Sequence, residues 1–329
     1  MDPTPLAAVA ADGDPVDEEE RDRRLPGAPA PVRVRVPAKI NLHLSVGDVR
    51  ADGFHELSTV FQAISLYDEL TATPSEETSI TVTGEGAHEL PTDHENIAVR
   101  AVYALARHTG RRPAVRLTVH KGIPVAGGMA GGSADAAAAL VACDALWATG
   151  LPREELAEVA ATLGSDVPFA LAGGTALGTG RGEQLSPVLA PRRRHWVVAV
   201  AEEGLSTPEV YGELDRLRAE QRPLLAAGSP DLLLAALRAE QPAVLGRTLA
   251  NDLQPAALSL RGPLRRTLAA GVEEGALGGI VSGSGPTCVF LASDADHAVD
   301  IAARLAGHGV CRTVRTAYGP VPGARLVSG

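Results

Sequence analysis

Residues 123–133 read Ile-Pro-Val-Ala-Gly-Gly-Met-Ala-Gly-Gly-Ser, with four glycines (Gly127, Gly128, Gly131 and Gly132) in six positions, and an alanine-rich run follows at once. The preceding stretch 114–124 alternates apolar and polar residues, as a half-buried strand does. Strand, glycine turn and helix are therefore fixed in that order. No Lys follows the last glycine, so the stretch is not a P-loop, and its spacing misses the dinucleotide pattern G-x-G-x-x-G. It remains suited to phosphate: glycines let several backbone N–H groups converge, and a helix start adds free N–H groups and the positive end of a dipole. The alternative is a close-packed turn of small residues, but Gly-Gly-x-x-Gly-Gly-Ser opening a helix favours a triphosphate. Ser133 falls where an N-cap belongs, with Asp135 in the first turn. Its hydroxyl is also placed to serve a phosphate or a bound Mg²⁺.

The rest of the chain reads as α+β. Residues 1–31 mix Pro, Ala, Gly and acid without period and predict a disordered acidic tail. Val32, Val34 and Val36, then Ile40, Leu42, Leu44 and Val46, alternate with polar neighbours and predict a strand pair. Residues 51–57 form a turn, further strands follow over 58–74 and 79–86, and 96–110 is a helix ending at Gly110. The helix after the glycine loop runs to about residue 148, and another starts at Pro152 and ends by Gly164. Residues 175–189 predict a hairpin bent at glycines. Past residue 191 come a strand at 196–201, helices over most of 208–275, a strand–glycine turn–strand over 278–293, a helix near 296–307 and a last strand near 311–318.

Composition excludes several classes. The net charge is −10 and aromatics make up 3% of the 329 residues, with no basic stripe, so nucleic acid is not an expected partner. Apolar runs are broken well before membrane-spanning length. Cys143, Cys288 and Cys311 are far apart and odd in number, which predicts free thiols in a reducing cytoplasm and neither disulfides nor a zinc site. The N-terminus has the features of neither a signal nor a transit peptide. No metal-ligating residues are assigned. Among 30 basic residues only Lys39 and Lys121 are lysines. A chain that writes its cations as Arg keeps a Lys where a compact point charge serves better.

The remaining candidates are individually modest. Lys39 opens a strand, and Lys121 abuts the glycine loop, as a surface charge or a ligand contact. Asp166 stands in the first turn of a short helix, where it either complements the dipole or accepts a hydroxyl proton in a phosphoryl transfer. Phe54 and Tyr211 are core residues or a stacking pair for a flat ring, with His55 and Asn41 reading its polar edge. Residues 281–287 form a turn that can act as a second backbone nest facing the first.

Taken together, "PAKINL", "ADGFHEL", "IPVAGGMAGGSADAA", "LGSDVPFAL" and "GIVSGSGPTC" resemble the GHMP kinase superfamily over residues 32–329. Within it they look like the member that phosphorylates a cytidine diphosphate conjugate of a sugar alcohol in the non-mevalonate route to isoprenoid precursors. The resemblance implies a two-domain α+β fold. A ribosomal protein S5 domain 2-like ATP-binding domain would span 32–190, and a ferredoxin-like domain 191–329. It implies ATP and Mg²⁺, with Pro124, Val125, Ala126, Gly127, Gly128, Met129, Ala130, Gly131, Gly132, Ser133 and Ala134 on the phosphates and Asn96 and Lys121 near the adenine. It makes Lys39 and Asp166 catalytic. It assigns Asn41, Phe54, His55, Thr207, Tyr211, Gly283, Ser284 and Gly285 to the small-molecule substrate, in a monomer or homodimer. Phe54 departs from the Tyr usual there, which keeps stacking and drops a hydroxyl contact. Related kinases of mevalonate, homoserine or sugars, and a silent nucleotide sensor, are the rival readings.

Overall fold

The computed structural model describes residues 29–125, 127–221 and 224–327, so the expected tail lies outside them except for its last three residues, as does Ala126. Two long strands organise the first half. β1 (Val32–Val49) pairs antiparallel with β2 (His55–Pro74) along nearly their whole length. One face of β1 carries Val34, Val36, Ala38, Ile40 and Leu42, all fully buried, as its alternation dictates. The strand pair expected over 32–46 is one strand. A register shift between Pro37 and Ala38 absorbs the proline, which has no N–H for the ladder.

After β3 (Ser79–Gly84) come α1 (Ile97–Thr109), β4 (Val115–Lys121), α2 (Gly131–Trp147), α3 (Arg153–Ala161), α4 (Val167–Ala172), and the hairpin β5 (Thr175–Gly180) and β6 (Gln184–Pro187). β4 pairs with β2 and with β3, and β5 pairs with β2 further along. α2 buries most of its circumference, from Ala134 to Leu146. Its alanines have no bulk to hold neighbours apart, so it packs inside, against α1 and the sheet.

The second half contains β7 (Arg194–Val200), α5 (Thr207–Ala219), α6 (Asp231–Ala236), α7 (Pro242–Gly246), β8 (Ala250–Asn251), α8 (Gln254–Leu260), α9 (Leu264–Glu273), β9 (Gly278–Val281), β10 (Cys288–Ala292), α10 (Ala295–Gly307), β11 (Thr313–Gly319) and β12 (Arg325–Leu326). Its sheet runs β11-β7-β10-β9, antiparallel throughout, the strand order of a ferredoxin-like βαββαβ unit. We propose that the chain divides near residue 190, as the two sheets suggest. Two short strands return across that point: β8 pairs parallel and β12 antiparallel with β1.

Candidate active site

A cleft of about 990 Å³ opens where β1, the glycine loop, α4, α5 and the β9–β10 turn converge. Lys39 enters from β1. Its backbone N–H donates to the Met129 carbonyl at 3.2 Å, fastening the strand to the glycine loop. Its ammonium donates to Asn41 Oδ1 at 2.8 Å, lies 5.2 Å above the Phe61 ring and stands 3.5 Å from Asp166 Oδ2. Asp166 occupies the N-cap position of α4, yet its side chain caps no N–H. A carboxylate that opens a helix without capping it, 30% exposed beside a buried ammonium, has acceptor capacity to spare.

The glycine loop lies along the cleft, with Pro124, Val125, Gly127, Gly128, Met129, Ala130, Gly131 and Gly132 on the lining. Gly128 has φ +70°, and a Cβ there would stand 2.6 Å from the Gly285 carbonyl oxygen. The two glycine turns therefore press backbone to backbone, which no other residue at 128 allows. Gly283 and Ser284 line the cleft, and Gly285 sits behind them against Val281. Thr207 Oγ1 and Ser284 Oγ are 2.9 Å apart, joining the start of α5 to that turn. Ser133 is not the N-cap. α2 starts two residues earlier, at Gly131, with Ala130 as a left-handed N-cap that offers no side-chain bond. The glycines themselves take helical geometry, so the leading N–H groups face the cleft uncapped. Ser133 and Ala134 fall within the first turn, off the lining, Ser133 half-buried and Ala134 buried.

Lys121 is neither a surface charge nor a free ligand contact. Its ammonium is buried between Asp68 Oδ2 at 2.5 Å and Asp135 Oδ2 at 2.6 Å, and it reaches the Gly131 carbonyl at 3.4 Å. Asp68 Oδ1 accepts the N–H groups of Gly122 and Ile123. One network thus pins both ends of the loop, and Asp135 serves Lys121 rather than the helix dipole. Burial alone would lower the Lys121 pKa, but the two carboxylates outweigh it and raise it. Burial pushes Asp135 up, to about 8, against the pull of Lys121. Asn96 is also committed elsewhere. It caps α1, accepting from Ala98 N at 2.9 Å and donating to the Pro91 carbonyl at 2.8 Å, and it does not line the cleft.

At the other end His55 packs against Tyr211, with ring centroids 5.1 Å apart, and its Nε2 lies 2.9 Å from Asp215 Oδ1. Burial, with the Asp166 charge adding to it, raises the Tyr211 phenol well above its usual pKa. Phe54 is 53% exposed and has the Arg181 guanidinium 4.9 Å over its ring. Asn41 lines the cleft, but its amide already donates to Thr59 Oγ1 while its oxygen accepts Lys39. It positions the lysine. Sequence reasoning missed Asp215, Arg181, Thr59 and Asp68. Asp215 had a signal: it follows Tyr211 by four residues, which places both on one face of α5.

Fold, glycine loop and the Lys39–Asp166 pair define a class. The chain matches the GHMP kinases N terminal domain over residues 96–174 and the GHMP kinases C terminal family over 224–311, and it belongs to the GHMP kinases. Homoserine kinase from Cytophaga hutchinsonii (TM-score 0.71, 19% identity) covers 90% of this chain and 97% of its own, and shares the fold. A 4-diphosphocytidyl-2-C-methyl-D-erythritol kinase of Salinispora tropica is 63% identical over 95% of this chain and 98% of its own. One of Rhodococcus jostii is 61% identical over 91% and 96%. A crystal structure of 4-(cytidine 5'-diphospho)-2C-methyl-D-erythritol kinase superposes with a TM-score of 0.69 at 34% identity, covering 90% and 100%. Within the GHMP kinases, the chain falls in the family of these 4-diphosphocytidyl-2-C-methyl-D-erythritol kinases.

Proposed function

We propose that this chain transfers the γ-phosphoryl group of ATP to the 2-hydroxyl of 4-diphosphocytidyl-2-C-methyl-D-erythritol, giving the 2-phosphate and ADP in the non-mevalonate route to isopentenyl diphosphate. The observation that carries the assignment is one cleft holding three things: an uncapped glycine-lined helix start, the Lys39–Asp166 pair, and an aromatic pocket with a carboxylate-held His. Asp166 accepts the hydroxyl proton. Lys39 holds that carboxylate in place and offsets charge on the transferring group. The N–H groups of the glycine loop receive the triphosphate. His55 and Tyr211 take the cytosine, with Phe54 at the rim, and Thr207 and the 283–285 turn close that side.

The described residues hold no group of three or more His, Cys, Asp or Glu side chains placed for a metal. We infer Mg²⁺ from the phosphoryl transfer itself; that ion takes one or two protein oxygens and otherwise phosphate and water. Ser133, half-buried in the first turn of α2 beside the lining glycines, is the hydroxyl that would help hold it, and the bound ion would offset phosphate charge. The cleft is built from one chain, so monomer and homodimer serve equally. No helix among the described residues is long and apolar enough to cross a membrane, and we place the enzyme in the cytoplasm on its composition.

The test is direct. The purified chain is incubated with ATP, Mg²⁺ and 4-diphosphocytidyl-2-C-methyl-D-erythritol, and the substrate's mass is followed. A gain of one phosphoryl group, absent with Asp166→Asn, supports reaction and base together. Phosphorylation of mevalonate, homoserine or a sugar instead overturns the substrate assignment.

A further inference from the structure

Besides Tyr211, six ionisable side chains line the cleft: Lys39, His55, Lys121, Asp166, Arg181 and Asp215. Five are committed to one another or to carboxylates behind them. Lys39 faces Asp166, His55 faces Asp215, and Lys121 is saturated by Asp68 and Asp135. Arg181 forms no ion pair among the described residues, and its guanidinium rests instead on Phe54. It is held there by construction. Arg181 is the tip of the β5–β6 hairpin between Gly180 (φ +71°) and Gly182 (φ +100°), and its own N–H donates to Glu183 Oε2 at 2.7 Å. Gly180 N donates to Glu56 Oε1 at 3.1 Å, tying the tip to the start of β2 beside Phe54 and His55. The same hairpin packs on Phe61, the ring beneath the Lys39 ammonium: a Cβ at Gly178 would stand 2.8 Å from it. The tip therefore bridges the base-binding end and the reacting end of the cleft.

We propose that Arg181 is a substrate-specificity residue that binds the diphosphate linking cytidine to the sugar alcohol. The inference rests on the substrate reading above. A diphosphate entering this cleft brings two negative charges, and the one lining cation that forms no ion pair among the described residues lies between the places assigned to its two ends. A planar guanidinium stacked on an aromatic face keeps its N–H edge free for bidentate contact with phosphate. The γ- and β-phosphates of ATP share this chemistry, and the experiment separates the two sources.

Binding of cytidine and of cytidine 5'-diphosphate is measured by calorimetry on the full chain, with the ATP site saturated by a non-hydrolysable ATP analogue and Mg²⁺. The wild type should prefer the diphosphate. Arg181→Met, which keeps an apolar stem against Phe54, should lose about tenfold or more of that preference while cytidine binds unchanged, and Arg181→Lys should recover part of it. The KM for ATP should stay within about twofold, since a contact to substrate alone leaves it untouched. An unchanged preference in Arg181→Met overturns the inference and leaves the substrate reading standing, as does a raised KM for ATP with the preference intact. If the wild type binds neither cytidine nor its diphosphate, the substrate reading falls and takes the inference with it.

Discussion

The two lysines of this chain make opposite use of the same charge. Lys121 is sealed, with side-chain exposure of 1%, and two carboxylates touch it at 2.5 and 2.6 Å. Lys39 keeps one carboxylate at a looser 3.5 Å, and that carboxylate is 30% exposed. The lysine with two carboxyl partners holds structure, because its ammonium has no donor left for a ligand. The loosely paired one leaves Asp166 able to exchange a partner for a proton. Around the same glycine loop, completeness of pairing separates the brace from the pair we propose to react.

Changes at the open pair should strike turnover and spare the fold. Asp166→Asn should cut kcat by about 10²–10⁴-fold with the thermal midpoint nearly unmoved. A large loss of midpoint instead would make Asp166 a brace as well and erase the contrast. Lys121→Met should do the reverse. Removing one partner of a buried ionic network costs about 3–5 kcal/mol, read as a lower denaturant midpoint. Folded enzyme should show a raised KM for ATP, because the loop loses its tether at both ends. Full stability in this variant would break the comparison from the other side.

A finer test uses pH. Asp135 is an acid whose folded-state pKa, about 8, stands above its ordinary value. Between those values the folded chain holds a proton that the unfolded chain has released, so stability falls as pH rises through that window and levels off above it. Asp135→Asn removes this slope. From pH 5 to 8 the variant's midpoint should rise relative to wild type, and parallel curves would mean the network carries no such proton. The smallest effect belongs at the rim: Phe54→Tyr should leave KM for the cytidine substrate within about twofold, since that ring is already 53% exposed.

How far the sequence reaches follows the same division. The alternating strands, the glycine loop and the order of strands and helices in the second half were legible because alternation, helical spacing and glycine are local signals, whereas the ferredoxin-like arrangement came with the family likeness and the single long β1 reads as two strands. Lys39 and Asp166 stood out through one residue's rarity and a family likeness. The fate of Lys121 was not legible, because Asp68 lies 53 residues before it and nothing local to either marks the pairing. Asn41 and Asn96 were assigned to ligands, and nothing in the sequence signals that the one also bonds a lysine and the other caps a helix. An amide side chain looks the same in sequence whether its partner is a base edge or the backbone next door. Arg181 was passed over as the tip of a hairpin, its Gly-Arg-Gly setting read only as a bend.

The segment that returns to the first sheet has a consequence for synthesis. Ala324 donates its N–H to the Ala170 carbonyl, Gly173 bridges to Pro322, and β12 lies beside β1, so residues 321–326 clamp the far end of the helix that Asp166 begins. These residues leave the ribosome about 150 positions after the helix they hold, roughly ten seconds later at ordinary elongation rates. Through that interval the nascent chain carries its glycine loop and Lys39 without the contacts that hold the far end of α4. The contacts that hold the far end of α4 are thus among the last the chain can make during synthesis.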